Sequence, residues 1–143
     1  MNTAETIELN PVAVRGENRL HLPLGLLGFE QTKHYVLLQH PHETPFGWLQ
    51  VLDDPSLAFL VLPTTQIFPD YQPDIAAEDV DFLGLALPED ALLFNIVTLR
   101  GKNQATVNLK GPIVVNRHTL VGKQVVPVNA ARSSLQHPLP TGK

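Results

Sequence analysis

The stretch Thr44-Pro45-Phe46-Gly47-Trp48-Leu49-Gln50-Val51-Leu52-Asp53-Asp54-Pro55-Ser56-Leu57-Ala58-Phe59-Leu60-Val61 decides the fold. An aromatic-rich strand runs into an Asp-Asp-Pro turn, where carboxylates bond nearby backbone N–H groups and proline presets φ, and a second strand returns through Phe59. This hairpin carries the only tryptophan, two phenylalanines and two acids, with no nucleophile, base or metal-ligand set beside them. Such a unit suits a surface that binds rather than reacts. Phe46, Trp48 and Phe59 occupy alternating strand positions and are assigned to the core. Trp48 leads that assignment, so Trp48→Ala is expected to cost about 3–5 kcal/mol.

The same pattern extends in both directions. Short apolar runs punctuated by turns lie at Ile7–Leu9, Val12–Val14, Arg19–Leu22, Tyr35–Gln39, Trp48–Leu52 and Ala58–Leu62. Leu92–Arg100, Gln104–Leu109, Ile113–Asn116 and Lys123–Val128 continue it with many β-branched residues, and Gly101-Lys102-Asn103 reads as a hairpin loop. Thirteen prolines would break repeated helices but mark edges and turns between short strands. One short helix is expected at about 76–83, with Asp74 as a candidate N-cap and Gly84 as its stop. Many short, mostly antiparallel strands favour a closed or nearly closed sheet, because closure removes unpaired edges. The expectation is a mainly β, barrel-like fold forming a single domain over 1–143, with about 130–143 as a loosely packed C-terminal tail.

Composition narrows the classes. At 143 residues the chain suits one core. Charged residues make up 17% against a typical ~25%, and hydrophobic residues 43%, which is the profile of a globular chain and not of a disordered one. Cysteine is absent, which removes disulfides and thiolate chemistry and fits a reducing compartment. The acidic start Met1-Asn2-Thr3-Ala4-Glu5 does not read as a secretory signal, and no apolar run reaches the ~20 residues of a membrane span, so the cytoplasm is expected. Net charge is −4, with no stripe of cations to track phosphates. Direct nucleic-acid binding is therefore not expected, and a basic partner suits the chain better.

Several segments together resemble the flagellar assembly factor FliW family. They are His21-Leu22-Pro23-Leu24-Gly25-Leu26-Leu27-Gly28-Phe29-Glu30, Pro45-Phe46 with Trp48-Leu49-Gln50, Asp54-Pro55 with Leu57-Ala58-Phe59, and Phe68-Pro69-Asp70-Tyr71. Leu83-Gly84-Leu85, the run from Asn108 to Asn116, Gly122-Lys123-Gln124-Val125 and His137-Pro138-Leu139 complete the set. Their order over more than a hundred residues is far more specific than any one motif. The resemblance implies a small, β-barrel-like, non-enzymatic cytoplasmic protein that binds flagellin and the translational regulator CsrA, and the chain is expected to be a monomer. Flagellin would capture the factor until secretion frees it to relieve CsrA repression of flagellin translation. The chain departs from the family pattern at Ala76, where a capping Ser is common, at Gly111, where Ala is common, and in the short Gly101-Lys102-Asn103 turn.

For the partner surface, the residues singled out are Asp53, Asp54, Phe68, Asp70 and Tyr71. An aromatic pair flanking a Pro-Asp turn offers a rigid anchor, Tyr71, and apolar area from Phe68, while the acids supply rim charge for a basic partner. Pro23, Gly25 and Gly28 read as setters of turn geometry and not as a phosphate loop. His34, His40 and His42, with Glu43, lack metal-ligand spacing, and Asp53-Asp54 and Asp79-Asp81 read as turn and helix-face acids, so no cofactor, metal or catalytic set is assigned. The alternative is a small barrel enzyme, a hydrolase or isomerase, using His21, His34 and Asp70 at a barrel mouth.

Overall fold

A computed structural model describes residues 19–39, 47–54, 56–63, 68, 70–100, 104–130 and 137–138. Within them nine strands form one sheet: β1 (Arg19–His21), β2 (His34–Gln39), β3 (Gly47–Val51), β4 (Ala58–Leu62), β5 (Ala91–Arg100), β6 (Gln104–Val107), β7 (Ile113–Asn116), β8 (Gly122–Gln124) and β9 (His137–Pro138). β1 to β5 pair in sequence as an antiparallel meander. The first half of β5 then pairs with β7, which pairs with β8, while its second half pairs with β6, which pairs with β9. A parallel bridge between His21 and Val121, with the His21 N–H donating to the Leu120 carbonyl at 3.0 Å, joins β1 to the residue before β8. The sheet is thereby a nearly closed barrel, as the density of turns and β-branched runs requires.

β5 is the organising strand. Val97 faces Val107 on β6, so an unbroken ladder would set Phe94 opposite residue 110, yet Phe94 faces Ile113. Three extra residues are absorbed as a bulge between β6 and β7, and this bulge carries Asn108, Lys110 and Gly111. Leu20, Leu22, Tyr35, Leu49, Val61 and Ile113 fill the barrel. A second core outside it gathers Leu62, Tyr71, Val97, Val107 and Leu109. β7 is buried on both faces, Ile113 and Val115 inside the barrel and Val114 against the single α-helix of the described residues, which explains its unbroken apolar run.

That helix, α1 (Ala77–Leu83), falls where the sequence places it and ends at Gly84, whose φ of 69° puts it in the left-handed region. Its N-cap is Ala76 and not Asp74, and no side chain caps it. The cost is offset by tertiary contacts: Leu83 packs against Val114 and Val125, and buried Asp79 pairs with Lys123 of β8. Lys123 also stands over the Phe82 ring, 5.3 Å from its centroid.

Two other expectations need correction. The strand expected over Lys123–Val128 stops at Gln124. Beyond it the backbone bonds to non-strand segments, Val125 N–H to the Pro112 carbonyl and Val128 N–H to the Asp74 carbonyl, so the burial alternates without a ladder. Trp48 is 37% exposed and not core. Leu49 and Val51 take the inward positions of β3, and Trp48 lies on the opposite face in a row with its register partners Leu38 and Leu60. Phe59 does pack against the barrel core. Phe46, His40, His42, Glu43, the Gly101-Lys102-Asn103 loop and the apolar runs before Arg19 lie outside the described residues, as does most of the expected tail.

Candidate partner-binding groove

Residues 22–33 form a loop held from every side. Leu22 and Leu26 are buried anchors in the barrel core. The Gly25 and Phe29 N–H groups donate to the Leu22 and Leu26 carbonyls, and Leu22 N–H donates to the Lys33 carbonyl. Lys33 Nζ donates to the carbonyls of Pro23 at 2.9 Å and Glu30 at 2.8 Å, tying both ends of the loop together. Gly25 has a φ of 69°, and a Cβ there would meet the Phe29 oxygen at 2.6 Å, so only glycine lets the chain cross itself here. The Glu30 carboxylate accepts the Gly28 N–H, and that bond holds its carboxyl below the usual carboxylate range.

Held this way, the loop still presents Leu24 and Leu27 to solvent, at 51% and 82% exposure. Across from them run exposed Val126 and half-buried Ala130, and the β6–β7 bulge lies between. The result is a groove of about 460 Å³ lined by Leu24, Leu27, Lys110, Gln124, Val126 and Ala130, among others. Gln124 is its joint. Its Oε1 accepts the Leu27 N–H at 2.8 Å and its Nε2 donates to the Gly111 carbonyl at 3.0 Å. A Cβ on Gly111 would come within 3.1 Å of that Nε2, so the glycine leaves room for the joint. Lys110 Nζ donates to the Ala130 carbonyl at 3.0 Å and closes the far side. Contiguous apolar surface on a rigid, fully braced loop is the form of a preorganised binding site.

The bulge is pinned from behind by Tyr71, which corrects its reading as an exposed anchor. Its ring is 9% exposed, and its hydroxyl donates to the Leu109 carbonyl at 2.7 Å and accepts from Asn95 Nδ2 at 3.2 Å. Asn95, fully buried, also donates to the Asn108 carbonyl at 2.7 Å. Burial raises the Tyr71 phenol above its ordinary pKa. Phe68 is half-buried against the same second core. Asp53 and Asp54 are exposed on the β3–β4 turn, where Asp54 Oδ1 accepts the Ser56 N–H and hydroxyl, and Asp70 is exposed. Of the five residues singled out in sequence, therefore, the three acids face solvent, Phe68 is half-buried and Tyr71 is buried.

His21 and His34, register partners on β1 and β2, stack with ring centroids 4.8 Å apart, and no hydrogen bond or ion pair among the described residues joins Asp70 to either. A different His–Asp pair exists: His118 Nε2 lies 2.9 Å from Asp90 Oδ1. It staples a turn. His118 is mostly exposed, and Asp90 Oδ2 accepts the N–H groups of Ala86 and Leu87. The Leu87 bond first, then His118, holds the Asp90 carboxyl below its usual range. No helix of the described residues is long and apolar enough to cross a membrane.

Fold and groove define a small, nearly closed antiparallel barrel with a braced, partly apolar groove on one face. Residues 3–139 match the family described as FliW protein, and the chain belongs to that family. It is 34% identical over 130 residues to the flagellar assembly factor FliW of Natranaerobius thermophilus, covering 90% of this chain and 85% of that one. The Geobacter sulfurreducens flagellar assembly factor FliW is 35% identical over 134 residues, with 93% and 83% covered. A crystal structure of the flagellar assembly factor FliW superposes with a TM-score of 0.78 at 31% identity, covering 89% of each chain. Three of the segments that carry the resemblance, 21–30, 108–116 and 122–125, meet at the groove.

Proposed function

We propose that this chain is a single-domain, monomeric, cytoplasmic assembly factor that binds flagellin and CsrA without catalysing a reaction. By antagonising CsrA it couples flagellin translation to flagellin secretion. Family membership supports the flagellar role. The observation that carries the binding reading is the groove, whose walls are locked by Gln124 and Lys33 while Leu27 stands 82% exposed. An apolar side chain so placed contributes little to folding and much to a partner that covers it.

Titration calorimetry with flagellin monomer and with CsrA tests this. Each is expected to give a stoichiometric complex, and Leu27→Ser is expected to weaken one of them at least about tenfold with unchanged melting temperature. Absence of heat with both partners at tens of micromolar, where a ~1 μM complex saturates, refutes the function. Unchanged affinity of Leu27→Ser for both refutes the groove as the interface.

A further inference from the structure

Two histidines on neighbouring strands meet on the outer wall of the barrel, and neither lines the groove. Leu20 and Tyr35, the adjacent register pair, fill the barrel core, so the pleat turns His21 and His34 outward, and both are exposed. The backbone explains how close they come. His21 N–H donates to the Leu120 carbonyl at 3.0 Å, and the His34 carbonyl accepts the Leu52 N–H at 2.9 Å, while Leu22 N–H donates to the Lys33 carbonyl at 2.7 Å. His21 and His34 therefore form a non-hydrogen-bonded cross-strand pair, the arrangement that brings side chains nearest, and each backbone is held from its far side. Their rings stack with centroids 4.8 Å apart and planes 10° apart.

Stacking in water buries little area and uses none of the ring nitrogens. Among the described residues no hydrogen bond or ion pair engages either ring, and Lys33, next to His34 in the chain, spends its Nζ on the Pro23 and Glu30 carbonyls. A neutral imidazole offers one lone pair, and two of them on one face of rigid strands are the donor set of a bidentate chelate. One metal ion takes imidazole nitrogens at about 2.0–2.1 Å, which sets the two about 3 Å apart. From stacked rings this needs only a lean toward each other through χ1 and χ2, with the strands unmoved, and solvent on the outer side leaves room for it. Imidazole suits Zn²⁺, Ni²⁺ and Cu²⁺, whereas Mg²⁺ and Ca²⁺ take oxygen ligands. No third His, Asp or Glu joins the pair among the described residues, so water completes the coordination.

We propose that His21 and His34 chelate one late first-row divalent ion per chain, Zn²⁺, Ni²⁺ or Cu²⁺, through one ring nitrogen each. The position gives the ion a consequence. β1 is three residues long, reaches the far side of the barrel through the His21–Val121 bridge, and leads directly into loop 22–33. An ion on both histidines ties β1 to β2 at that seam in the folded chain alone, so its binding stabilises barrel closure. The inference stands whichever partner fills the groove.

Zinc chloride is the probe, titrated into the intact chain by calorimetry, with magnesium chloride as its counterpart. One zinc per chain is expected, and no binding of magnesium at the same concentrations. His21→Gln and His34→Gln should each weaken zinc at least about tenfold, because one imidazole cannot chelate. In EDTA both variants should melt with the parent, and saturating zinc should raise the melting temperature of the parent by several degrees and of neither variant. Zinc should also shift an imidazole ¹⁵N signal of His21 and one of His34. His40→Gln, His42→Gln and His118→Gln should leave zinc affinity unchanged. Absence of zinc binding up to about 1 mM overturns the proposal, as does full affinity in either His21→Gln or His34→Gln. Loss of binding in His40→Gln or His42→Gln would move the ion to that segment and overturn it too. One zinc per two chains, with zinc-dependent doubling of mass, would make the ion a contact between copies and overturn the single-chain chelate equally.

Discussion

Removing one oxygen atom, in Tyr71→Phe, tests how the groove is held. The Tyr71 hydroxyl donates to the Leu109 carbonyl at 2.7 Å and accepts from Asn95 at 3.2 Å, inside a core that also contains Leu62, Val97 and Val107. Phenylalanine keeps the ring and its apolar burial, so the transfer term is nearly unchanged. Asn95 Nδ2 retains the Asn108 carbonyl as an acceptor, at 2.7 Å, and loses little. The Leu109 carbonyl, in a buried residue, loses its donor, and an unsatisfied buried acceptor costs about 1–3 kcal/mol. Tyr71→Phe should thus lower stability by about 2 kcal/mol, and Tyr71→Ala by about 3–5 kcal/mol as ring burial goes too. Urea unfolding followed by far-ultraviolet circular dichroism reads both as shifts in midpoint at constant slope. A cycle with Asn95→Ala should show coupling of at least about 0.5 kcal/mol, since the two side chains share one network. A Tyr71→Phe variant within about 0.5 kcal/mol of the parent would refute the role of this hydroxyl in pinning the bulge.

Trp48→Ala should cost about 1–2 kcal/mol and not the core value, because a ring 37% exposed leaves an open dent and no closed cavity; red-shifted tryptophan emission and iodide quenching check the exposure independently. Gly25→Ala should destabilise more than Gly28→Ala: both have positive φ, each worth about 1–2 kcal/mol, but only at Gly25 does the new Cβ strike backbone, at 2.6 Å, and thermal melts of the two variants give the difference. Both tyrosines of the chain are raised by burial, Tyr35 to about 12, so absorbance at the tyrosinate band should stay low at pH 10 in the folded protein and jump on unfolding. The sign follows from linkage: a phenol whose folded pKa lies above its unfolded value gives stability that is full below pH 10 and lost as pH rises toward 12, and Tyr35→Phe should blunt that alkaline loss.

The strands were legible because their signals are local. β-branched runs bounded by Pro, Gly and Asp need only a few neighbours to declare themselves, and β2 to β7 lie where those runs lie. Which face of a strand turns inward was not legible on β3. Its inward residues, Leu49 and Val51, are apolar, and so is Trp48 on the other face, where Leu38 and Leu60 flank it. Alternation distinguishes faces only when one of them is polar. Tyr71 failed for a different reason. Its neighbours Asp70 and Gln72 are exposed, as a loop reading demands, and the contact that buries it lies 38 residues away at Leu109.

The groove was out of reach of any local reading for the same physical reason. Its brace from Gln124 to Leu27 spans 97 residues, and each half looks unremarkable alone: a glycine-rich turn, and a glutamine at the end of a short strand. The signal that was present is energetic. Leu22 and Leu26 enter the core, whereas Leu24 and Leu27, in the same loop, are left in water. A chain that spends Lys33, Gln124 and a left-handed glycine on fixing such a loop forgoes the flexibility that would let Leu27 fold inward. On the proposed reading that exposed apolar area serves a partner, since burial by association would return to Leu27 the transfer free energy that folding withholds.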